Sequence, residues 1–463
     1  MAAFATAAVN FFAVQTLQKF YAKLKAQPPP FWRGQVYRDA SPRRGGSRQT
    51  KTNDSQCNNH CGVPMISAAK VRSEIEDGFA DLLDQHYPRF SNTEFERRRK
   101  LVLDVCEREE LDAVIIAQSM RAGTATFWFT GWPVTQEAIT VVALGQQPSM
   151  YVQYFNHVPL ARLLASDIDV QWGEESGLRL ALDFLCALCT KPPRVGIIGL
   201  LSPKQHQQLA VKSGAIIDLN AAYQEMRLIK SAEEIHWLRL GASLTDLAIA
   251  SLAEAARPGL NERELSDIVE RSYLPLGGTN AIHYFAATPM ASPSAAVPAQ
   301  FPSARKLRQG DALVTEISAQ FWEYSGQVLR SFAIGVDPPG QYAELHAVAD
   351  AAFDAIVARI KPGASADELR KASLVIEEAG FTTIDDIVHG YGGGYLAPVL
   401  RASARDTLGA TMHLEAGMAL VVQPNVTTLD YSAGVQTGHL GLVTAGGFEP
   451  LQKFPRGFHV LEN

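Results

Sequence analysis

Apolar runs rich in β-branched residues and bounded by turn residues predict strands at Asp112–Ala117, Ala138–Leu144 and Arg194–Gly199. Helical patterns lie between and before them. Asn92–Arg99 opens a helix with a capping-type start, and Ala181–Cys189 is an apolar helix-like run. Strands alternating with helices predict an α/β domain as far as about residue 220. Further on, Val314–Ser318 reads as a central strand with Glu316 half-buried on it. Two Pro-Gly breaks, at Arg257–Gly259 and Lys361–Gly363, each end a helix and start another element.

Residues 1–64 follow none of these patterns. Up to Arg38 the chain carries Lys and Arg but no acid, and a short basic amphipathic helix fits Val9–Lys25 before Pro28–Pro30. This stretch reads as a mitochondrial targeting leader or as sequence upstream of a true start at Met65. The domains expected are therefore a leader at 1–64, an α/β domain at 65–225 and a second domain at 226–463.

The bulk numbers narrow the classes. The chain has 463 residues, of which 47% are hydrophobic and 19% charged, with a net charge of -6. A weak acidic excess gives no attraction to nucleic acid or to anionic membrane. No apolar run reaches the ~18 residues that a span needs. The five cysteines form no metal or redox pattern. Cys186 and Cys189 read as small buried residues, and a reducing compartment, the cytoplasm, fits.

Four segments carry the chemistry. They are Thr315–Ala319, Ser325–Phe332 with Gln327 and Arg330, His389–Gly393, and Glu415–Pro424 with Gln423. Their order resembles the pita-bread superfamily of methionine aminopeptidase, aminopeptidase P, prolidase, creatinase and ectoine hydrolase. Met226–Ile235 resembles the Arg-x-x-Lys-Ser-x-Glu-Glu-Ile junction of that family, with Ser231 as a helix cap. Phe127–Pro133 resembles a strand-to-turn segment of its N-terminal domain. The resemblance covers roughly residues 92–460 and implies an α/β N-terminal domain plus an α+β C-terminal pita-bread domain.

The two-metal peptidases of that family use two Asp, one His and two Glu, because a pair of divalent ions needs several carboxylates. Here those positions fall on Glu316, Gln327, His389, Gln423 and, for the last, on or near Gly438. One carboxylate and one imidazole remain, so the expectation is no metal and no cofactor. A substrate-facing family His falls on Ala299, which removes an acid–base group. The residues expected to be catalytic are Glu316, His389 and His283. Those expected to bind substrate are Gln327, Gln423, Tyr391, His439 and Arg330. Desolvation would raise the Glu316 carboxyl toward an acid–base range, and the two glutamines make a hydrogen-bonding pocket. The glycines at Gly390 and Gly392–Gly394 predict a flexible loop beside His389, but no Lys-Ser/Thr follows to make a phosphate loop.

The leading expectation is a metal-independent hydrolase or lyase of a small polar C–N compound, similar to creatinase and ectoine hydrolase. One alternative is a non-catalytic pita-bread binding protein, which the loss at Ala299 favours. The other is an aminopeptidase P- or prolidase-like peptidase with an altered metal site. The resemblance also implies a homodimer.

Overall fold

The computed structural model describes residues 65–462, apart from 120–122, 403–408 and 410. The basic leader, with Cys57 and Cys61, lies outside the described residues.

The first sheet contains β1 (Ala113–Ser119), β2 (Glu137–Ala143), β3 (Ser149–Val152), β4 (Asp169–Trp172), β5 (Arg194–Gly199) and β6 (Ala215–Asp218), in the order β4-β3-β2-β1-β5-β6. The three runs predicted from the sequence are β1, β2 and β5. β1, β5 and β6 are parallel neighbours, whereas β1 pairs antiparallel with β2. Helices cover the sheet, so β1 and β2 are buried along almost their whole length and need no polar alternation. Helix α1 (Asn92–Arg108) begins at the cap Ser91, whose hydroxyl accepts from the Glu94 N–H at 3.1 Å.

Two sequence readings need correcting here. Phe127–Pro133 is not a strand: Ala125–Thr130 is a helix with all six side chains buried, and it ends at Gly131. Aromatic residues favour strands only where they pack against a pleated surface, and burial on every side decides otherwise. Cys186 is exposed and Cys189 half-buried, while among the described residues Cys106 is the buried cysteine. The helix Gly177–Leu188 turns Leu178, Ala181, Leu182 and Leu185 inward and leaves Cys186 outside.

The second domain is built on β7 (Thr279–Pro289), β8 (Asp311–Phe321), β9 (Tyr324–Ser325), β10 (Val328–Ile334), β11 (Thr382–Thr383), β12 (Val388–Tyr391), β13 (Tyr395–Leu400), β14 (Ala419–Val422), β15 (Val426–Thr427), β16 (Gly438–Thr444), β17 (Gly447–Pro450) and β18 (Phe458–Leu461). Its large sheet runs β13-β12-β14-β16-β10-β8-β7, with β17 on β16, β18 on β10 and β9 on β8. Helices α2 (Ala232–Ala255), α3 (Glu262–Tyr273) and α4 (Gly340–Val357) pack against it.

The junction motif has a clear physical role. Ser231 Oγ accepts from the Glu234 N–H at 3.2 Å, and Glu234 Oε2 accepts from the Ser231 N–H at 3.0 Å. Glu234 Oε1 also takes the Tyr324 hydroxyl at 2.8 Å and Trp128 Nε1 at 3.2 Å, and it lies 3.3 Å from the guanidinium of fully buried Arg98. One carboxylate thus caps α2 and ties it to the first sheet's helices. The two Pro-Gly breaks are structural repeats. Gly259 N–H donates to Leu307 O at 2.9 Å and Leu307 N–H returns to Leu260 O at 2.7 Å. Gly363 N–H donates to Leu414 O and Leu414 N–H to Ala364 O, both at 2.8 Å. Among the described residues no helix is long and apolar enough to cross a membrane.

Candidate active site

β8 crosses the middle of the large sheet and carries Glu316, which is 7% exposed. In the antiparallel ladder Glu316 stands across from Tyr284 of β7 and Leu329 of β10, so these three side chains share a face. Gln327 lies two residues before Leu329 and therefore returns to that face. Its Nε2 donates to Glu316 Oε1 at 2.9 Å and to Gln423 Oε1 at 3.1 Å. Gln423 Nε2 in turn lies 3.3 Å from the Asp386 backbone oxygen and 3.4 Å from Asp386 Oδ2. The result is a chain from carboxyl through two amides to carboxyl, and it fixes which end of each amide is nitrogen.

His389 stands on β12. Its Nδ1 lies 3.1 Å from the Gly390 carbonyl, which assigns the ring proton to that nitrogen. Nε2 is then an acceptor, buried and without a protein partner. Burial pushes its pKa down to about 4, against the Gly390 carbonyl, Asp385 and the nearby Gln423 side chain, which lies too far for a well-formed hydrogen bond, so the ring is neutral. Tyr395 stacks on it with ring centroids 3.8 Å apart, and Tyr391 meets it edge-on at 5.6 Å. The Tyr391 hydroxyl is 2.5 Å from Ser325 Oγ. Gly390 belongs to β12, and Arg227 donates to the carbonyls of Gly392 and Gly393.

Three acids meet here. Burial, then the charge of Asp385, raises the Glu316 carboxyl to about 7, although Gln327 opposes this. Burial, then a hydrogen bond and charge from Asp385, raises Asp386 to about 8. Sequence reasoning missed Asp385, Asp386, Tyr284 and Tyr395. For the Asp pair the one signal was two adjacent acids, three and four residues before His389. For Tyr284 it was the pairing of β7 with β8.

Three expected residues lie elsewhere. His283 is across from Ile317, on the face opposite Glu316. Its Nε2 is 2.6 Å from the Tyr273 hydroxyl of α3, its Nδ1 meets the Ile282 carbonyl, and burial lowers it to about 4. His439 pairs with Val328 and Val422, and its ring packs on Phe353 of α4 at 5.0 Å. Arg330 is fully buried and gives four of its five N–H groups to the carbonyls of Pro455, Leu329, Gly438 and Phe454 at 2.6–2.8 Å, so it holds the C-terminal segment. Glu316, His389, Gln327, Gln423 and Tyr391 are brought together.

The donor set does not fit a metal pair. Two of the five positions are neutral amides, and Gln327 Nε2 points an N–H, not a lone pair, at Glu316. Gly438 has no side chain, and a Cβ there would lie 2.2 Å from the Val422 carbonyl oxygen. Asp385 and Asp386 add acid, but among the described residues no group of three His, Cys, Asp or Glu has metal-holding geometry.

Residues 236–445 match the family model of metallopeptidase family M24. The Xaa-Pro dipeptidase of Pyrococcus furiosus is 24% identical over 368 residues, which cover 78% of this chain and 99% of that protein. The Xaa-Pro dipeptidase of Lactobacillus delbrueckii subsp. lactis is 26% identical over 245 residues, or 53% of this chain and 65% of that one. The prolidase structure from Pyrococcus horikoshii OT3 superposes with a TM-score of 0.67 at 21% identity, over 78% of this chain and 99% of the other. The X-Pro aminopeptidase from Thermotoga maritima MSB8 gives 0.68 at 18% identity, with coverage of 78% and 99%. These relatives are peptidases, and they lend no support to the creatinase-like branch expected from the sequence. The fold is that of the pita-bread M24 peptidases, and residues 236–445 are the part of the chain that matches their family.

Proposed function

We propose that the chain is a hydrolase that cleaves an amide-type C–N bond in a small polar substrate, with Glu316 as the group that takes a proton from water and with no metal in that step. The observation that carries this reading is the buried Glu316 carboxyl, raised to about 7 and held by the Gln327 amide where the family's first ligand would stand. A carboxyl raised this far from its ordinary range is suited to general-base work near neutral pH. Gln327 and Gln423 fix its orientation, and neutral His389 offers Nε2 as an acceptor for a substrate N–H or O–H.

The names of the relatives favour the peptidase alternative over a creatinase-type substrate. Xaa-Pro dipeptides are therefore the first substrates to test, and small non-peptide amides and amidines the second. Glu316→Gln should lower kcat by ~10²–10⁴-fold, the range for losing a general base, while the melting temperature stays near that of the wild type. Turnover at the wild-type rate in Glu316→Gln would overturn the assignment. Tight binding of peptides with no turnover of any substrate would instead support the non-catalytic reading.

A further inference from the structure

The site as described has a base but no assigned acid. The position that carries a family His is Ala299, whose N–H is committed to the Phe285 carbonyl at 3.0 Å. His283 faces the other way. Asp386 is 5% exposed and differs from the other buried aspartates in how its oxygens are used. Asp246 accepts two backbone N–H groups, from Lys453 and Phe454. Asp311 takes both guanidinium nitrogens of Arg305 and the Arg308 N–H. Those two carboxylates hold the fold together. Asp386 is held differently: its carboxyl takes the Gln423 amide, at 3.4 Å, and a hydrogen bond with the Asp385 side chain, and the one backbone N–H that acts on it is its own, which also donates to Asp385 Oδ1 at 2.8 Å. A buried acid held mainly by a second acid and an amide is costly as a structural element.

We propose that Asp386 is the second catalytic carboxyl of this site and gives its proton to the leaving nitrogen while Glu316 takes one from the attacking water. This rests on the hydrolase reading above. The two amides set the spacing: Gln327 joins Glu316 to Gln423, and Gln423 joins Asp386. In the forward step the water oxygen bonds to the substrate carbonyl carbon as the Glu316 carboxylate accepts the water proton. The C–N bond then breaks as the Asp386 carboxyl protonates the nitrogen. A carboxylic acid and an amine leave. Glu316 is left protonated and Asp386 ionised, and exchange with solvent restores both. The titratable groups that act on or with Asp386 are Asp385, Glu316 and Tyr395. That acidic surrounding and burial raise Asp386 far above the usual carboxylate range, which favours its protonated form.

The test compares wild type, Asp386→Asn and Asp386→Glu on two substrates that share an acyl part. One carries a poor alkylamine leaving group and the other a p-nitroaniline. A general acid matters most for the poor leaving group, whereas a structural role would slow both equally. Asp386→Asn should lose ~10²-fold or more in kcat on the alkylamide, the usual scale for general-acid loss, and far less on the anilide. It should also lose the alkaline limb of the pH–rate profile. Asp386→Glu should restore part of the alkylamide rate, and its melting temperature controls for folding. Equal losses on both substrates, or no loss on either, would overturn the proposal while leaving the hydrolase reading standing. A wild type inert toward both substrates and toward dipeptides would overturn that reading, and this proposal with it.

Discussion

The candidate histidines show how a sequence reading can be right about a segment and wrong about a side chain. His283 and His439 were each placed one residue from a position that faces the site. Tyr284 faces Glu316 and His283 does not. Gly438 adjoins Gln423, while His439 turns toward α4. In a strand a single step reverses the face, so nearness in sequence to a ligand position carries no information on direction. Gln327, Gln423 and His389 were legible because they occupy motif positions. Asp386 was not, because it precedes β12 in a turn without periodicity. The same scale yields a prediction for Gly438. Its φ of 151° and the 2.2 Å approach of the Val422 carbonyl leave no room for a side chain. Putting back the family acid as Gly438→Glu should therefore destabilise the protein by about 3 kcal/mol and create no metal site. Denaturant unfolding and metal titration of the variant would check both parts, and a stable variant that binds metal would contradict the steric argument.

Among the elements, strands with continuous apolar runs and helices with capping signals were legible. β1, β2, β5, α1 and the Ser231-capped α2 lie where pattern and cap chemistry predict them. The helix Ala125–Thr130 was misread because its aromatic residues satisfy strand propensity, and only the tertiary burial of all six distinguishes the two. Two of the carboxyl-bearing segments come from different elements, β8 and the turn before β12. The amides of Gln327 and Gln423 span β10 and the end of β14 to join them. No local pattern predicts that junction, because it depends on the order β12-β14-β16-β10-β8 in the sheet. A segment order shared with a family fixes this topology, and hence the site, more firmly than local propensity does.

At the level of the whole molecule, burial of ionisable groups sets the pH range of stability. Glu316, Asp386 and Asp246 are raised from 4.5, 3.8 and 3.8 to about 7, 8 and 6, chiefly by burial. A raised carboxyl binds its proton more tightly when folded, so its contribution is present below the unfolded pKa and is lost as pH rises through the folded value. His283, His389 and His459 are lowered from 6.5 to about 4, and His346 and His439 are lowered too, also by burial. A lowered histidine does the reverse: its contribution is present above 6.5 and is lost as pH falls toward the folded value. Between these limits the five histidines outweigh the three acids below about pH 6; above 6.5 Glu316 and Asp386 still titrate, and from about pH 7 buried Lys230, lowered from 10.5 to about 7, acts in the opposite sense. Thermal unfolding should therefore show a steep loss from about pH 6.5 toward pH 4 and a smaller loss from about pH 6.5 to 7, where Lys230 does not yet offset the acids. No loss at all between about pH 6.5 and 7 would mean that Glu316 and Asp386 are not raised.

The central claim is that this pita-bread frame does its chemistry with carboxyl and amide groups in place of the metal pair. The most direct test measures bound metal and hydrolytic rate in one preparation, grown with zinc, manganese and iron and then dialysed against a chelator. The account predicts far less than one metal equivalent per chain and an unchanged rate before and after dialysis. One or two tightly held equivalents whose removal abolishes turnover would contradict it.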